Sequence, residues 1–247
     1  MTVRLGVDIG GTGIKGAPVD VELGDLTADR FRLNTPKKHN PTEVTKVVHE
    51  VVQHFPDVDG PIGVTFPGVI IRGVVHTAAN MDKSWIGLDA DKLFTETLGR
   101  PVTLMNDADA AGLAEMRFGA GKDRKGVVVM VTLGTGIGPA VFIDGQLVPN
   151  TELGHIEIDG RDAESRASEV ARERKGLTYE KWGKRLDRYF RTLEMLLSPD
   201  LFIVGGGVSK KSEKFFGYIH TRAELIPAQL LNEAGIVGAA VAASAAS

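Results

Sequence analysis

The apolar positions along this chain switch between two periods. Residues 3–9 (VRLGVDI) form a β-branched run of strand length, and 14–21 continue it as the return arm of a hairpin. Residues 40–55 (NPTEVTKVVHEVVQHF) change period. Val44, Val47, Val48, Val51, Val52 and Phe55 recur at helical spacing, which predicts a helix with one apolar face. Asn40 is its expected N-cap, Pro41 its first position and Glu43 the second half of a capping box. PIGVTF (61–66) predicts a buried strand ended by the Pro67-Gly68 turn, and DKLFTETLG a short helix closed by Gly99. PVTLM (101–105) reads as a strand and DADAAGLAEMRF as the helix that follows it. The pattern then restarts with strands GVVVMVTL, PAVFI and QLV, the last two joined by an Asp144-Gly145 turn. Two helices are expected within 162–197 and a strand at LFIV (201–204), which ends in Gly205-Gly206-Gly207. A last helix is expected after Pro227, with its Ala/Gly-rich tract at 234–246 buried. Strands and helices alternate in both halves, so the class is α/β.

The restart carries a shared design. LGVDIGGTGIKGAPVD (5–20) and MVTLGTGIGPAVFIDG (130–145) each run from an apolar strand into a Gly/Thr turn and out into another apolar run. Such a turn exposes backbone N–H groups and hydroxyls without side-chain bulk, which is the chemistry of a phosphate cradle. Two facing cradles imply a duplicated fold that holds a phosphoryl donor between its halves. The expected lobes are 1–120 and 121–247, divided near GAGKDRKG, with the last helix a candidate to cross back onto the first. Gly11, Gly13 and Gly16 also spell G-x-G-x-x-G, the dinucleotide fingerprint. That fingerprint needs a helix directly after the turn. Here IKGAPVDVEL follows, with Pro18 and no helical period, so it reads as a returning strand.

Composition narrows the chemistry. The 247 residues suffice for one large domain or two small lobes. With 29 basic and 32 acidic residues the net charge is −3, and only 6% are aromatic, so there is neither electrostatic footprint nor stacking platform for nucleic acid. There is no cysteine, which excludes disulfides, thiolate zinc sites and cysteine nucleophiles. No signal peptide or membrane span is read, so a cytoplasmic protein is expected.

Within this frame several polar residues stand out. Asp8 ends the first strand beside the first cradle; it is either a Mg²⁺ ligand acting through water or a cap on the turn. Thr12 and Thr135 can donate hydroxyls to phosphate oxygens, and Lys15 either adds charge there or lies on a strand edge. Asn106-Asp107 sits at a strand-to-helix junction, where α/β folds place ligands. Asp107 is either the N-cap of that helix or a general base for a substrate hydroxyl. ELGHIEIDGRDAE supplies Glu152, His155, Glu157 and Glu164, a polar density suited to a sugar; one histidine without cysteine is a poor zinc set. Glu157 reads as surface charge. Residues 161–191 hold ten Lys/Arg against six Asp/Glu, and further clusters occur at Lys122, Arg124, Lys125 and at Lys210, Lys211, Lys214. They are either solvated helix faces or a track for a polyanion.

With Asp8-Ile-Gly-Gly-Thr, Asn106-Asp107, LGTGIG and Glu152-Leu-Gly-His155 in order, the chain resembles the ROK-family sugar kinases of the actin/Hsp70/sugar-kinase superfamily. VDIGGTGIKGAPVD, NMDKSWIG and MNDADAAGLAEMRFG are similar to its polyphosphate glucokinase branch. The resemblance implies an actin-like (ribonuclease H-like) two-lobe fold with an interlobe cleft. It implies transfer from inorganic polyphosphate, with ATP or GTP as a second donor, to the 6-hydroxyl of glucose with Mg²⁺. Asp107 would be the catalytic base, and Asn80, Asn106, Glu152, His155 and Glu164 the sugar-binding set. Gly10, Gly11, Thr12 and Lys15 would form the first phosphate motif, with Asp8 toward the metal. Gly134, Thr135, Gly136 and Gly138 would form the second, and Gly205, Gly206 and Gly207 would match the loop that lies near the nucleoside in ATP-using relatives. Relatives are commonly homodimers. The segment IEIDGRDAESRAS lacks the cysteines of the family's zinc motif, so no zinc is expected, and no helix-turn-helix precedes Asp8, unlike the repressor branch. The alternatives are a strictly ATP-dependent hexokinase for glucose, mannose or an amino sugar, and a non-catalytic sugar sensor.

Overall fold

The computed structural model describes residues 1–245. The strands and α-helices run β1 (Val3–Ile9), β2 (Gly13–Asp20), β3 (Phe31–Asn34), α1 (Pro41–Gln53), β4 (Ile62–Phe66), β5 (Ile70–Ile71), β6 (Val74–Val75), α2 (Ala90–Leu98), β7 (Val102–Asn106) and α3 (Asp107–Phe118). They continue as β8 (Val127–Leu133), β9 (Ile137–Ile143), β10 (Gln146–Val148), β11 (Glu157–Ile158), β12 (Arg161–Asp162), α4 (Glu164–Ala167), α5 (Glu169–Arg174), α6 (Tyr179–Leu197), β13 (Leu201–Gly205), β14 (Glu224–Pro227) and α7 (Ala234–Ala245). Two compact units result: Met1–Ala114 with the segment from Glu233 onward, and Glu115–Asn232. The division falls inside α3, ahead of the GAGKDRKG tract.

Each unit is built on one five-stranded sheet, ordered β3-β2-β1-β4-β7 in the first and β10-β9-β8-β13-β14 in the second. In the first, β1 pairs antiparallel with β2 and parallel with β4, which is parallel to β7. In the second, β8 pairs antiparallel with β9 and parallel with β13, which is parallel to β14. The two sheets therefore share one topology, and the repeated Gly/Thr turn occupies the same hairpin in both. The returning strand β2 settles the glycine triplet at 11–16 as a hairpin turn and not a dinucleotide loop.

The first core gathers Phe66, Trp85 and Phe94, with Trp85 4.9 Å from Phe66 and its Nε1 donating to the His39 carbonyl at 2.8 Å. The second gathers Trp182, Phe190, Phe202 and Phe215, with Trp182 Nε1 donating to the Ala167 carbonyl at 2.8 Å. Helix α7 lies on the first sheet at backbone contact. A Cβ at Gly6 or Gly63 would overlap the carbonyls of Ile236 or Ala239, and one at Gly238 would overlap that of Ala110 in α3.

Asn40 Oδ1 accepts from the Glu43 N–H at 2.9 Å, but Glu43 turns its carboxylate to Lys46 Nζ at 3.4 Å instead of completing the capping box. Gly99 ends α2 with φ +64°. Residues 162–197 hold three helices and not the expected two. Ser168 leaves helical geometry at ψ 159° and caps α5 through its hydroxyl, and Gly176 at φ +57° separates α5 from α6. The last helix begins at Ala234, after an edge strand, β14, that the sequence pattern did not show.

Candidate active site

In the first unit the parallel register sets Asp8 beside Thr65, Thr65 beside Met105, and Phe66 beside Asn106. Asp8 and Asn106 thus lie toward the carboxyl ends of β1 and β7, the two strands that flank β4, and Asp107 follows Asn106 directly. Asp8 accepts from Thr65 Oγ1 at 2.6 Å, and its other oxygen is 3.0 Å from Lys15 Nζ, directly across the β1–β2 ladder. Lys15 is therefore the counter-ion of Asp8. The first turn of α7 closes on the same carboxylate, because a Cβ at Gly235 would stand 3.0 Å from Asp8 Cγ. The first Gly/Thr turn is closed by Gly10 N–H to Gly13 O at 3.0 Å. It is braced from β3 and the residue after it: Arg32 donates to Thr12 O at 2.8 Å and Thr35 Oγ1 to Gly10 O at 2.6 Å. Gly11 and Thr12 stay exposed, and a Cβ at Gly11 would meet nothing within 4 Å. Sequence reasoning missed Arg32, a guanidinium against the first Gly/Thr turn, because β3 was not seen as a strand.

Asn106 is buried and caps α3: Oδ1 accepts the N–H groups of Ala108 and Asp109 at 2.8 and 3.0 Å, and Nδ2 donates to Gly68 O at 3.1 Å. The N-cap alternative raised for Asp107 is thereby filled by its neighbour. Asp107, half-buried, is the first helical residue and accepts the Ala108 N–H at 2.9 Å. Asn80 has φ +57°, and its carbonyl accepts from His39 Nδ1 at 2.6 Å. Its loop is laced to the Pro67-Gly68 turn through Ala79 N–H to Pro67 O at 3.0 Å. Asn80, Asn106 and Asp107 therefore belong to one loop cluster tied together at Gly68.

In the second unit Gly134 N–H donates to Gly136 O at 3.0 Å and Thr132 Oγ1 to Gly138 O at 2.9 Å, closing the second turn. Thr135 is exposed at its tip, and a Cβ at Gly134 would meet nothing within 4 Å. Gly205 pairs with Thr132, and Gly206, at φ +85°, packs on the Leu133 carbonyl where a Cβ would overlap it. The Gly205–Gly207 loop thus borders the second turn. Glu164 accepts the Ile137 N–H at 2.9 Å, and Val170 N–H donates to Gly134 O at 3.2 Å, so α4 and α5 are fastened to that turn.

His155 Nδ1 lies 2.8 Å from Asp162 Oδ2, and Nε2 lies 3.9 Å from Glu152 Oε2. The hydrogen bond that His155 donates to Asp162 raises the His155 pKa above its ordinary value against the opposing effect of desolvation. Desolvation raises the Glu152 carboxyl pKa, His155 opposes this, and Glu164 adds to it. Asp162 also accepts the Ser165 N–H at 2.7 Å, so one carboxylate orients His155 and starts α4. Glu157 is exposed on the β11–β12 ribbon. Sequence reasoning passed over Asp162, because the ribbon that folds it back onto His155 has only two residues on each side and leaves no period. Among the described residues no group of three or more His, Cys, Asp or Glu could hold a metal.

Asp162→Asn removes the carboxylate that orients His155. It also changes the pH profile of stability. A raised folded pKa on His155 gives stabilisation fully present below the unfolded value of 6.5 and lost as pH rises through the folded value. Both groups are partly exposed, so the term stays under about 1 kcal/mol. Tm measured from pH 5.5 to 8.5 should fall less steeply in the variant; parallel curves would remove Asp162 from this role.

Residues 4–177 match the ROK family. The polyphosphate glucokinase of Mycobacterium tuberculosis is 52% identical over 97% of this chain and 91% of its own. The inorganic polyphosphate/ATP-glucomannokinase of Arthrobacter sp. strain KM is 53% identical, with a TM-score of 0.96 over 100% of both chains. A ROK family glucokinase from Streptomyces griseus, solved with glucose and AMPPNP, is 26% identical, with a TM-score of 0.85 over 98% of this chain and 99% of that one.

Proposed function

The chain belongs to the ROK family, and on that premise we propose that it transfers the terminal phosphoryl group of inorganic polyphosphate to the 6-hydroxyl of glucose. Its two units carry the two matching sheets of the actin-like sugar-kinase fold. The observation that carries the reading is the match along nearly the whole chain to two relatives named for polyphosphate, both above half identity.

Phosphoryl transfer depends on positioning and charge neutralisation. Asp107 accepts the proton of the sugar hydroxyl as that oxygen bonds to the terminal phosphorus. The bridging P–O bond breaks, and the donor leaves one phosphate shorter. Asn106 positions Asp107 by capping α3. The exposed turns at Gly11-Thr12 and Gly134-Thr135 offer N–H and hydroxyl donors to phosphate oxygens. Asn80, Glu152, His155 and Glu164 supply the donors and acceptors for sugar hydroxyls.

Magnesium fits Asp8. A hard cation that keeps several waters and takes phosphate oxygens needs one or two carboxylates and not a protein cage. When bound it neutralises charge on the transferring group. Asp8 would hold it, and Lys15 would release its ion pair and turn to phosphate. The same reading takes a homodimer as the assembly, and the cytoplasm, at the entrance to glycolysis, as the setting. No helix among the described residues is long and apolar enough to cross a membrane. ATP as a second donor and mannose as a second acceptor form a further reading, favoured by the name of the Arthrobacter relative.

The test is formation of glucose 6-phosphate from glucose and Mg²⁺, with long-chain polyphosphate and ATP run in parallel. Product from polyphosphate is expected. Product from ATP alone would make the chain an ATP-dependent hexokinase, and none from either would make it a sugar sensor.

A further inference from the structure

The basic residues of 161–191 do not spread evenly over the surface. Some are spent locally: Lys184 pairs with Glu180 at 2.6 Å, and Arg172 lies over the Tyr179 and Trp182 rings at 4.8 and 5.8 Å. Others converge. Arg185 Nη1 donates to the Arg166 carbonyl at 3.0 Å, and Lys175 Nζ donates to the Ser165 carbonyl at 3.1 Å. Arg166, Lys184, Arg185 and Arg188 line one open pocket between α4, α6 and the β11–β12 turn, with Asp159 on its rim and Tyr189 at its floor. Asp159 is taken by Arg188 at 2.9 Å. Desolvation lowers the Lys175 pKa first, and then Arg185, Arg174, Arg166 and Arg161 add to it. Arg185 is lowered by desolvation and then by Arg166 and Arg161. Five cations are thus gathered, and two of them, Lys175 and Arg185, donate to backbone carbonyls and not to carboxylates, an arrangement that costs energy in the absence of an anion.

We propose that Arg161, Arg166, Arg174, Lys175 and Arg185 hold the length of a polyphosphate chain that extends beyond the phosphoryl group being transferred. The inference rests on the polyphosphate reading above and assigns that donor a second place on the molecule. Helix α4 links the two places, since Glu164 at its start holds the Ile137 N–H of the second phosphate turn and Arg166 follows within the same turn of helix. The ligand is a flexible polyanion without bases. Nucleic acid binding on a single strand needs exposed rings to stack on. Here Tyr189 is 1% exposed and the faces of Tyr179 and Trp182 lie under Arg172.

The experiment uses the triple variant Arg161→Gln/Arg174→Gln/Lys175→Gln, with Arg161→Lys/Arg174→Lys/Lys175→Arg as the charge-preserving control. Binding of long-chain polyphosphate is measured directly by competition with a labelled chain from 50 to 300 mM salt, alongside turnover with polyphosphate, tripolyphosphate and ATP. The neutral variant should bind long chains about tenfold or more weakly, with a salt slope lower by about three, one for each cation removed. Its KM for ATP and glucose should stay unchanged, and tripolyphosphate should be affected less than long chains. The charge-preserving control should keep wild-type affinity. Equal long-chain affinity in wild type and neutral variant overturns the proposal. So does a loss shared equally by ATP, or equal binding of a single-stranded oligonucleotide through the same residues. Absence of polyphosphate turnover in the wild type would fail the donor assignment, and the direct binding arm would still report on this site.

Discussion

Asp107→Asn is expected to lower kcat about 10²- to 10⁴-fold, the usual range for losing a general base, with the glucose KM changed only a few fold. The substitution is nearly isosteric. An amide keeps the acceptor that meets the Ala108 N–H at 2.9 Å, but it cannot take a proton from the sugar hydroxyl. Nor should the start of α3 suffer, because Asn106 accepts the N–H groups of both Ala108 and Asp109 from the cap position, whereas Asp107 meets only the first of them. The neighbouring change separates chemistry from architecture. Asn106→Ala removes a cap and the hydrogen bond to Gly68, and should cost about 0.5–2 kcal/mol of stability. Steady-state kinetics and thermal unfolding of both variants check this. An Asp107→Asn enzyme with near wild-type kcat and intact Tm would take Asp107 out of the base role.

The contrast between those two residues shows what the sequence could convey. A strand that runs into Asn-Asp and then a helix is legible from period alone, and so is the junction as a ligand-facing place. Which of the two side chains takes the cap position goes with a long-range contact, the hydrogen bond from Asn106 Nδ2 to the Gly68 carbonyl, and no local pattern carries that. The repeated Gly/Thr turn was legible because glycine and β-branched runs leave a strong local signal. It implied a duplicated fold, and the shared strand order of the two sheets is a finding of the structure. What escaped were elements too short for a period. Strand β3 has four residues and alternates in exposure, yet it delivers Arg32 to the first turn. Strand β14 has four residues and ends in a proline. The β11–β12 ribbon has two residues on each side, yet it folds Asp162 onto His155. Likewise the net +4 of residues 161–191 was countable. Whether those charges stand apart or together depends on how α4 and α6 pack, a tertiary fact.

Gly63→Ala should be the most disruptive single methyl in the first unit. Gly63 is the second residue of β4 and pairs in register with Gly6 of β1, so two glycines lie side by side on the sheet. The backbone of α7 occupies that notch. Its sequence, AGIVGAAVAASA, carries few side chains large enough to hold it off. A Cβ on Gly63 would overlap the carbonyl of Ala239, and backbone cannot relieve the overlap by changing rotamer, as a side chain could. The helix would have to lift or the strand bend. Overpacking against backbone is expected to cost roughly 3 kcal/mol or more, which lowers Tm by about 6–12 °C for a chain of this size. Activity should fall as well, because Gly235 at the start of α7 abuts the Asp8 carboxylate and moves with the helix. Gly217→Ala is the control: nothing stands within 4 Å of its Cβ, so its effect should stay within about 0.5 kcal/mol. Hydrogen exchange on Gly63→Ala should show early loss of protection in α7 and β1, with β8, β9 and β13 protected as in the wild type. Uniform loss across both units, or a Tm within about 2 °C of wild type, would mean that the α7 contact does not hold the first unit together.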